Sequence, residues 1–299
     1  MKHAILGAGA IGGLMATALS SIGEDVTLIV RADKVGEHPH TLSVENPGGT
    51  ITAPVKIAAR LTEAVDVLWI ATKTYQLEDA LASIEATPGI VVPLLNGVDH
   101  VAVLRERFGH DRVVPGTIAV EAERSAPGQY VHRSPVRLNL AASGEPVLKD
   151  AVERLRGLGW NCQFIASEAT LLWSKLCFLE PFALVTSASG KNNGEIMADA
   201  EWKDKLESSI REACAVAEKE GAQVDGSKGA SVFANFPGTM RASMAKDLAA
   251  GRKLELDGIA GPVLRGGEQF GVPTPTTKGL MEMIEAAERK RVAVSKSPA

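Results

Sequence analysis

The chain contains 299 residues, of which 45% are hydrophobic and 23% are charged, and its formal net charge is −4. This composition is typical of a globular protein that is long enough for two hydrophobic cores. The slight negative charge argues against nucleic acid or an anionic membrane as a partner. The three cysteines are widely spaced without a C-x-x-C pair, which predicts a reducing, cytoplasmic location and neither disulfides nor a zinc site.

The N-terminal stretch predicts a strand–helix–strand unit that binds a dinucleotide. An apolar strand leads into a G-x-G-x-x-G motif, an Ala- and Leu-rich helix follows, and a second apolar strand ends near Arg31. In this context the glycines allow a tight turn and close approach to a pyrophosphate, which the helix N-terminus attracts. A glycine turn without a ligand is the alternative. The candidate cofactor-binding residues of the motif are Gly7, Ala8, Gly9, Ala10, Ile11 and Gly12.

The end of the second strand favours NADP(H) over NAD(H). NAD-binding units usually place Asp or Glu here to bind the ribose 2′-hydroxyl. This strand instead ends in Arg31, and the first acidic residue after it is Asp33. A guanidinium can bind a 2′-phosphate through two parallel hydrogen bonds. An ordinary solvated cation is the alternative interpretation of Arg31.

The following residues predict the rest of an α/β domain that covers residues 1–166. Two nearly all-apolar runs, 66–71 and 89–95, have the pattern of central parallel strands. Three short β segments are expected to extend the edge of the same sheet as antiparallel strands. These segments are 116–121, 128–132 and 136–142. The other predicted elements are a hairpin around 47–49, helices 77–84, 98–108 and 146–158, and strands 112–115 and 160–165.

Residues 167–299 predict a second, all-α domain. The run 169–189 is apolar almost all round, so we expect a core helix that is kinked or broken at Pro181. A membrane span is the alternative, but Lys175 and Glu180 near its middle would be costly in lipid. The fold class is therefore a Rossmann-type α/β domain followed by an all-α C-terminal domain, for which a homodimer is expected. The remaining predictions are a turn at 191–194, helices 199–220, 227–236, 239–250, 252–270 and 275–289, and a polar tail from Val292.

Polar residues follow the two central strands. Lys73 and Gln76 come after the first of these strands, and Asn96 comes after the second. Ligands of open α/β sheets bind at the carboxyl ends of the strands, so all three residues are expected beside the cofactor. A solvated lysine and an ordinary Asn-Gly turn are the alternatives for Lys73 and Asn96.

Lys175 is the most unusual charge in the helical half, because the residues around it are apolar on most of the helix circumference. The side chain either extends to the surface or is buried with a partner, since a buried ammonium is costly unless it is paired. Glu180 is on a different side of the helix and is a poor partner. Glu255 and Asp257 are candidate partners, with a first-turn acid favoured by the helix dipole as the alternative.

In these residues the sequence resembles the ketopantoate reductase family (2-dehydropantoate 2-reductases) over nearly its whole length. The resemblance depends on the order and spacing of motifs more than on any one of them. The motifs are Gly7–Gly12, Arg31, Thr72-Lys73-Thr74-Tyr75-Gln76, Leu95-Asn96-Gly97, Pro127-Gly128 with His132, Trp173-Ser174-Lys175-Leu176, Asn193-Gly194-Glu195, Ser243-Met244-x-x-Asp247 and Glu255-Leu256-Asp257.

The resemblance implies reduction of 2-dehydropantoate, a small 2-oxo acid, to pantoate in pantothenate biosynthesis. It implies that Arg31 and Lys73 hold the NADPH phosphates, with Gln76 nearby, and that Asn96 lies by the nicotinamide and the substrate. Lys175 would be the general acid that protonates the carbonyl oxygen as hydride arrives. The resemblance also implies that Glu255 pairs with this lysine or with a substrate hydroxyl, and that Ser243 binds the substrate carboxylate.

The sequence departs from the family pattern where the substrate is expected. The family commonly has asparagines one and two turns after the catalytic lysine and another before the serine, whereas this chain has Leu179, Ala183 and Met240. Loss of these amides predicts altered discrimination between substrates. Two alternatives follow, namely a reductase of a more apolar 2-oxo acid and a non-catalytic NADP(H)-sensing protein.

Overall fold

The computed structural model describes residues 1–296, and the side chains of residues 1–291. The chain forms two compact units that divide between Leu171 and Leu172, a few residues after the boundary predicted at 166/167. Residues 297–299 of the predicted second domain, and with them the end of the predicted tail, lie outside the described residues.

The first unit contains all the β-strands of the described chain and several helices. Its strands are β1 Lys2–Leu6, β2 Asp25–Ile29, β3 Thr41–Asn46, β4 Gly49–Pro54, β5 Lys56–Ala58, β6 Val67–Ile70, β7 Ile90–Pro93, β8 Gly116–Ala119, β9 Ala122–Ala126, β10 Gln129–His132, β11 Arg137–Ala141 and β12 Asn161–Ile165. Its helices are α1 Ala10–Ser21, α2 Leu77–Leu81, α3 His100–Phe108 and α4 Glu145–Gly157.

The main sheet confirms the Rossmann-type prediction. Five parallel strands lie in the order β5-β2-β1-β6-β7, and β1-α1-β2 is the predicted strand–helix–strand unit. Strand β6 is buried at every residue, as a parallel strand covered on both faces must be. Leu6 pairs with Ile70, and Ile70 pairs with Pro93, so β1, β6 and β7 end at one edge of the sheet.

The expectation that the short β segments extend the edge of this sheet is wrong. An additional strand, β9, lies among them, and they divide between two other sheets, β4-β3-β10-β9 and β12-β11-β8. The pairing of β9 with β10 and of β8 with β11 is antiparallel, but β10 pairs in parallel with β3 and β11 with β12. The short loops between consecutive β segments predicted antiparallel pairing. The parallel pairs join strands that are distant in sequence, and they depend on which apolar faces can be buried together.

Helix α1 is the element around which the first unit packs. Residues Gly12–Leu19 are buried, although the helix has no strongly polar face. Its Gly13 lies directly against the ring of Tyr130 in β10, so that a Cβ at this position would collide with the ring. The four-stranded sheet therefore covers the same helix that begins at the glycine-rich motif.

The second unit is helical, as predicted. Its helices are α5 Glu168–Ser189, which begins in the first unit, α6 Asn193–Met197, α7 Ala200–Lys219, α8 Ser243–Ala249, α9 Leu256–Phe270 and α10 Pro275–Lys296. Helix α5 continues through Pro181 instead of breaking there, and the residues around the proline are buried. By length and composition α5 could cross a membrane, but 67% of its most apolar window is buried inside the protein, as in a core helix.

Several boundaries in this unit differ from the prediction, among them the starts of α8 and α9, which lie four residues after the predicted starts at 239 and 252. The segment predicted as helix 227–236 is a pair of 3-10 turns over Gly226–Asn235, interrupted at Gly229 with φ +46°. The predicted turn at 191–194 leads into α6, whose first turn is closed by a reciprocal cap between Asn192 and Glu195. The last helix extends to Lys296 and so includes the start of the predicted tail.

Candidate active site

The glycine-rich turn between β1 and α1 is shaped by close backbone contacts. Gly7 has φ +106°, and a Cβ there would lie 3.0 Å from the Ala71 carbonyl oxygen. A Cβ on Gly12 would collide with the Gly7 carbonyl oxygen, which is why the helix can pass so close to the turn. Both positions therefore require glycine on steric grounds.

The same turn is open where a pyrophosphate would approach. Gly9 is exposed, and the nearest atom to a Cβ there would be the Ala71 carbonyl oxygen at 4.0 Å. Helix α1 begins after Gly9 without a side-chain cap and without an acidic residue in its first turn. An uncapped helix N-terminus without an acidic residue in its first turn suits an anion. The residues present thus fit the phosphates of a dinucleotide.

Arg31 lies just past the end of β2, where dinucleotide-binding folds generally place the residue that contacts the ribose. Its side chain is 73% exposed, and its Nε lies 3.8 Å from Oδ1 of Asp33, whose side chain is 65% exposed. Such an exposed ion pair contributes little to stability and leaves the guanidinium accessible to a ligand.

Lys73, Gln76 and Asn96 follow neighbouring strands of the main sheet. Lys73 precedes a 3-10 turn over Thr74–Gln76 just after β6. The backbone N–H of Gln76 donates a hydrogen bond to the backbone carbonyl of Lys73 over 2.9 Å. Asn96 follows β7 and is succeeded by Gly97 with φ +80°. Lys73 and Asn96 are partly exposed and Gln76 is exposed. The fold thus places all three residues after strands that end at the same edge as the glycine-rich turn.

In the second unit, the charge of Glu255 acts on Lys175. Burial lowers the pKa of Lys175 to about 8, and the charge of Glu255 raises it in opposition. Glu255 is itself 5% exposed and occupies the position that caps α9. A lysine with a pKa near neutrality exchanges its proton readily, which suits a general acid.

The other acids considered as partners of Lys175 have different neighbours. Oδ1 of Asp257 accepts a hydrogen bond from Arg265 over 2.7 Å, and the Asp257 side chain is 78% exposed. Glu180 is fully buried and accepts a hydrogen bond from the Ser209 hydroxyl over 3.2 Å. Of the acids that the sequence offered, Glu255 is the one whose charge acts on the lysine.

Apolar and aromatic residues surround the part of α5 that follows Lys175. Phe182, two turns after the lysine, stacks on Phe233 with ring centroids 4.8 Å apart. Phe178 meets the edge of Phe233, and Phe233 meets the edge of Phe236, which is 37% exposed. We call Phe178, Phe182, Phe233 and Phe236 the phenylalanine cluster.

The remaining predicted positions have different environments. Ser243 is the exposed first residue of α8, and Met240 is partly exposed just before it. Leu179 is partly exposed on α5, whereas Ala183 is 1% exposed. Across the described residues, no group of three or more His, Cys, Asp or Glu side chains is arranged to hold a metal ion.

Sequence reasoning missed one residue at the glycine-rich turn. Nη1 of Arg124, in β9, donates a hydrogen bond to the Ala8 carbonyl over 3.3 Å. The two residues are 116 positions apart, and no motif connects them. Only the packing of the four-stranded sheet against α1 brings them together.

Comparison with known proteins identifies the family. The profile described as "Ketopantoate reductase PanE/ApbA" matches residues 3–145, and the profile of its C-terminal domain matches residues 169–288. The chain belongs to the ketopantoate reductase family. A 2-dehydropantoate 2-reductase of Caulobacter vibrioides is 30% identical over 95% of this chain and 98% of its own length. An uncharacterized oxidoreductase of Bacillus subtilis, YkpB, is 25% identical over 96% of this chain and 99% of its own length.

Two solved structures share the fold. D-mandelate dehydrogenase in complex with NADH and anilino(oxo)acetate is 26% identical, with a TM-score of 0.85 over 97% of this chain and 99% of that chain. A ketopantoate reductase from Ralstonia eutropha, 22% identical, has a TM-score of 0.86 over 98% of this chain and 100% of its own, which shows the fold alone.

Family membership has direct consequences for the predictions from sequence. It confirms the resemblance to ketopantoate reductases and the assignment as an oxidoreductase acting on CH–OH groups. The reductases of this family use a nicotinamide cofactor and reduce a 2-oxo acid. The alternative of a non-catalytic sensor receives no support from these relatives.

Proposed function

We propose that this protein uses NADPH to reduce a 2-oxo acid to the corresponding 2-hydroxy acid, with 2-dehydropantoate as the first candidate substrate and pantoate as its product. The observation that carries the proposal is the electrostatic pairing of Lys175 with Glu255 in a chain whose first unit has an open glycine-rich turn. The similarity to 2-dehydropantoate 2-reductases supports the choice of substrate and its place in pantothenate biosynthesis.

Lys175 is the proposed proton donor. When bound, the nicotinamide supplies a hydride to the carbonyl carbon of the substrate. The electron pair of the C=O double bond moves to oxygen, and the Lys175 ammonium both stabilises that charge and delivers the proton. Glu255 raises the pKa of the lysine against the effect of burial, so that more of it is protonated near neutral pH.

The remaining polar residues are proposed to hold the cofactor and the substrate. In the first unit, the glycine-rich turn and Lys73 bind phosphate oxygens, Gln76 lies nearby, and Asn96 orients the nicotinamide and the substrate. In the second unit, Ser243 binds the substrate carboxylate. These roles are supported by the position of Lys73 and Asn96 after β6 and β7, and by the exposure of Ser243 at the start of α8.

NADPH is proposed over NADH because of Arg31. Its exposed guanidinium follows β2, where an acidic side chain would favour the 2′-hydroxyl of NADH. The similar D-mandelate dehydrogenase was solved with NADH, which is therefore the control cofactor in the test below. A homodimer and a cytoplasmic location stay predictions of the sequence.

A more apolar 2-oxo acid is the second candidate substrate, and the phenylalanine cluster favours it. Leu179 and Ala183 replace amides that would bind hydroxyl groups, and aromatic rings pack beside them on α5. A phenyl or branched aliphatic side chain would match these residues better than the hydroxylated side chain of 2-dehydropantoate. The complex of D-mandelate dehydrogenase with an aromatic oxo acid is consistent with this candidate.

The test is steady-state oxidation of NADPH with a panel of 2-oxo acids that includes 2-dehydropantoate, a branched aliphatic 2-oxo acid and phenylglyoxylate, with NADH as the control cofactor. The proposal expects turnover of at least one acid and a higher kcat/KM with NADPH than with NADH. The acid with the highest kcat/KM decides between the two candidate substrates. Absence of turnover with every acid would contradict the proposal.

A further inference from the structure

Arg124 lies at the glycine-rich turn although it comes from a strand of a different sheet. Its Nη1 donates to the Ala8 carbonyl over 3.3 Å, inside the G-x-G-x-x-G motif. The side chain is exposed. A guanidinium carries five N–H donors, so that one bond to a carbonyl leaves most of them available to a ligand.

A β-bulge explains how Arg124 reaches this position. Tyr130 pairs with Arg124, whereas the preceding Gln129 pairs with Ala126, so Ser125 is an additional residue in β9. Side chains alternate between the two faces of a strand, and the extra residue therefore places Arg124 on the face that Tyr130 occupies. Without the bulge, Ser125 would face α1 and Arg124 would point away.

Helix α1 is the surface that this face covers. The ring of Tyr130 packs against Gly13, in the first turns of α1, and fixes the sheet at the helix. Arg124, beside Tyr130 on the same face, extends to Ala8 at the start of the turn. The Arg124 charge also acts on its neighbours: burial lowers the pKa of His38 and Arg124 lowers it further.

We propose that Arg124 binds the pyrophosphate of the dinucleotide directly, as an additional cofactor-binding residue. The inference rests on the proposed function, because it assumes that the turn accepts a dinucleotide. It adds a second kind of side-chain cation to an anion site for which backbone N–H groups, a helix N-terminus and Lys73 are already proposed. Arginine matches phosphate because its planar fork can form two parallel hydrogen bonds to one phosphate group.

Binding of ADP-ribose, measured by calorimetry without any 2-oxo acid, tests the proposal. ADP-ribose contains the pyrophosphate but no 2′-phosphate, so the Arg124→Gln variant should bind it about 5- to 20-fold more weakly than the wild type does. Arg133→Gln is the matched control, because Arg133 is an exposed arginine at the end of β10 that pairs with Glu123 over 2.9 Å. The control should bind ADP-ribose as the wild type does.

A second ligand distinguishes direct contact from a general disturbance of the site. 2′-AMP lacks the pyrophosphate, so Arg124→Gln should leave its binding unchanged, whereas Arg31→Gln should weaken it. Equal ADP-ribose affinity in Arg124→Gln and the wild type, or an equal loss for both ligands, would overturn the inference. If the wild type bound neither ADP-ribose nor 2′-AMP, the proposed function itself would fail instead.

Discussion

The charge of Glu255 opposes the effect of burial on Lys175, and the two together set the pKa of the lysine at about 8. Burial alone would favour the neutral amine, because a charged ammonium loses hydration in an apolar environment. The negative charge of the Glu255 carboxylate stabilises the protonated amine and so offsets part of the effect of burial. A lysine balanced in this way holds its proton at neutral pH and can still release it to a developing alkoxide.

This balance predicts the pH dependence of the reaction. Reduction requires the protonated amine, so kcat/KM for the 2-oxo acid should fall as the pH rises through about 8. Oxidation of the hydroxy acid requires the neutral amine and should rise over the same range. In Glu255→Gln the midpoint of both profiles should move down by about one pH unit, because the charge that raises the lysine pKa is removed.

The matched control for this shift is Asp257→Asn. Asp257 lies two residues from Glu255, but its exposed carboxylate is bonded to Arg265. Its removal should leave both pH profiles where they are in the wild type. Profiles of Glu255→Gln that coincide with those of Asp257→Asn would contradict the proposed role of Glu255.

Arg31 should determine which dinucleotide the enzyme prefers. In Arg31→Gln the KM for NADPH should rise about 10- to 100-fold, because charged hydrogen bonds to the 2′-phosphate are lost. The KM for NADH, which lacks that phosphate, should change little and serves as the internal control. Steady-state kinetics with both cofactors measure the effect. An equal rise in the KM for NADH and for NADPH would show that Arg31 does not bind the 2′-phosphate.

The close packing of Tyr130 against Gly13 should contribute to the stability of the first unit. A methyl group in Gly13→Ala would collide with the buried ring, so we expect a loss of about 1–3 kcal/mol in the free energy of unfolding. Gly279→Ala is the control, because Gly279 lies in α10 with open space around it. Replacement there should stabilise the protein by about 0.5–1 kcal/mol. Urea denaturation compares the two, and equal effects would contradict the packing described.

Glu180 should make stability decrease as the pH rises. Burial raises the pKa of this carboxyl well above 4.5, so the folded state keeps it protonated while the unfolded state ionises above that value. Unfolding thus releases a proton, and the stability contributed below pH 4.5 is lost as the pH rises towards the folded-state pKa.

Glu180→Gln removes this ionisable group while keeping a similar shape. The variant should be more stable than the wild type at pH 8 and should show a flatter decline of Tm with pH. Glu220→Gln is the control, since Glu220 is exposed at the end of α7. A decline of Tm in Glu180→Gln as steep as in the wild type would count against a neutral, buried carboxyl.

Local patterns predicted much of the fold and several candidate residues. The β1-α1-β2 unit is contiguous in sequence, so glycine spacing and apolar runs were enough to define it. Lys175 could be identified from the sequence because a charged side chain within an apolar helix is costly unless it is paired. The local pattern alone left Glu255 and Asp257 as equal candidates, because both acids lie at the start of the same helix. The family resemblance pointed to Glu255, and the packing of that helix makes it the acid that acts on the lysine.

Features that depend on distant residues were not predictable in the same way. The parallel pairing of β10 with β3 joins segments far apart in the chain, and spacing carries no information about it. Arg124 became visible only through a bulge in β9 and the contact of Tyr130 with Gly13. The break at Gly229 depends on a positive φ that helical periodicity over 227–236 does not reveal.

The most direct test of the account is the rate of NADPH-dependent reduction in Lys175→Met, measured beside binding of NADPH to the same variant. Because general acid catalysis contributes roughly 10²- to 10⁴-fold, kcat should fall by at least about 10²-fold with NADPH affinity unchanged, and Lys175→Arg should recover only part of the rate. Turnover in Lys175→Met equal to that of the wild type would contradict the central role given to this lysine.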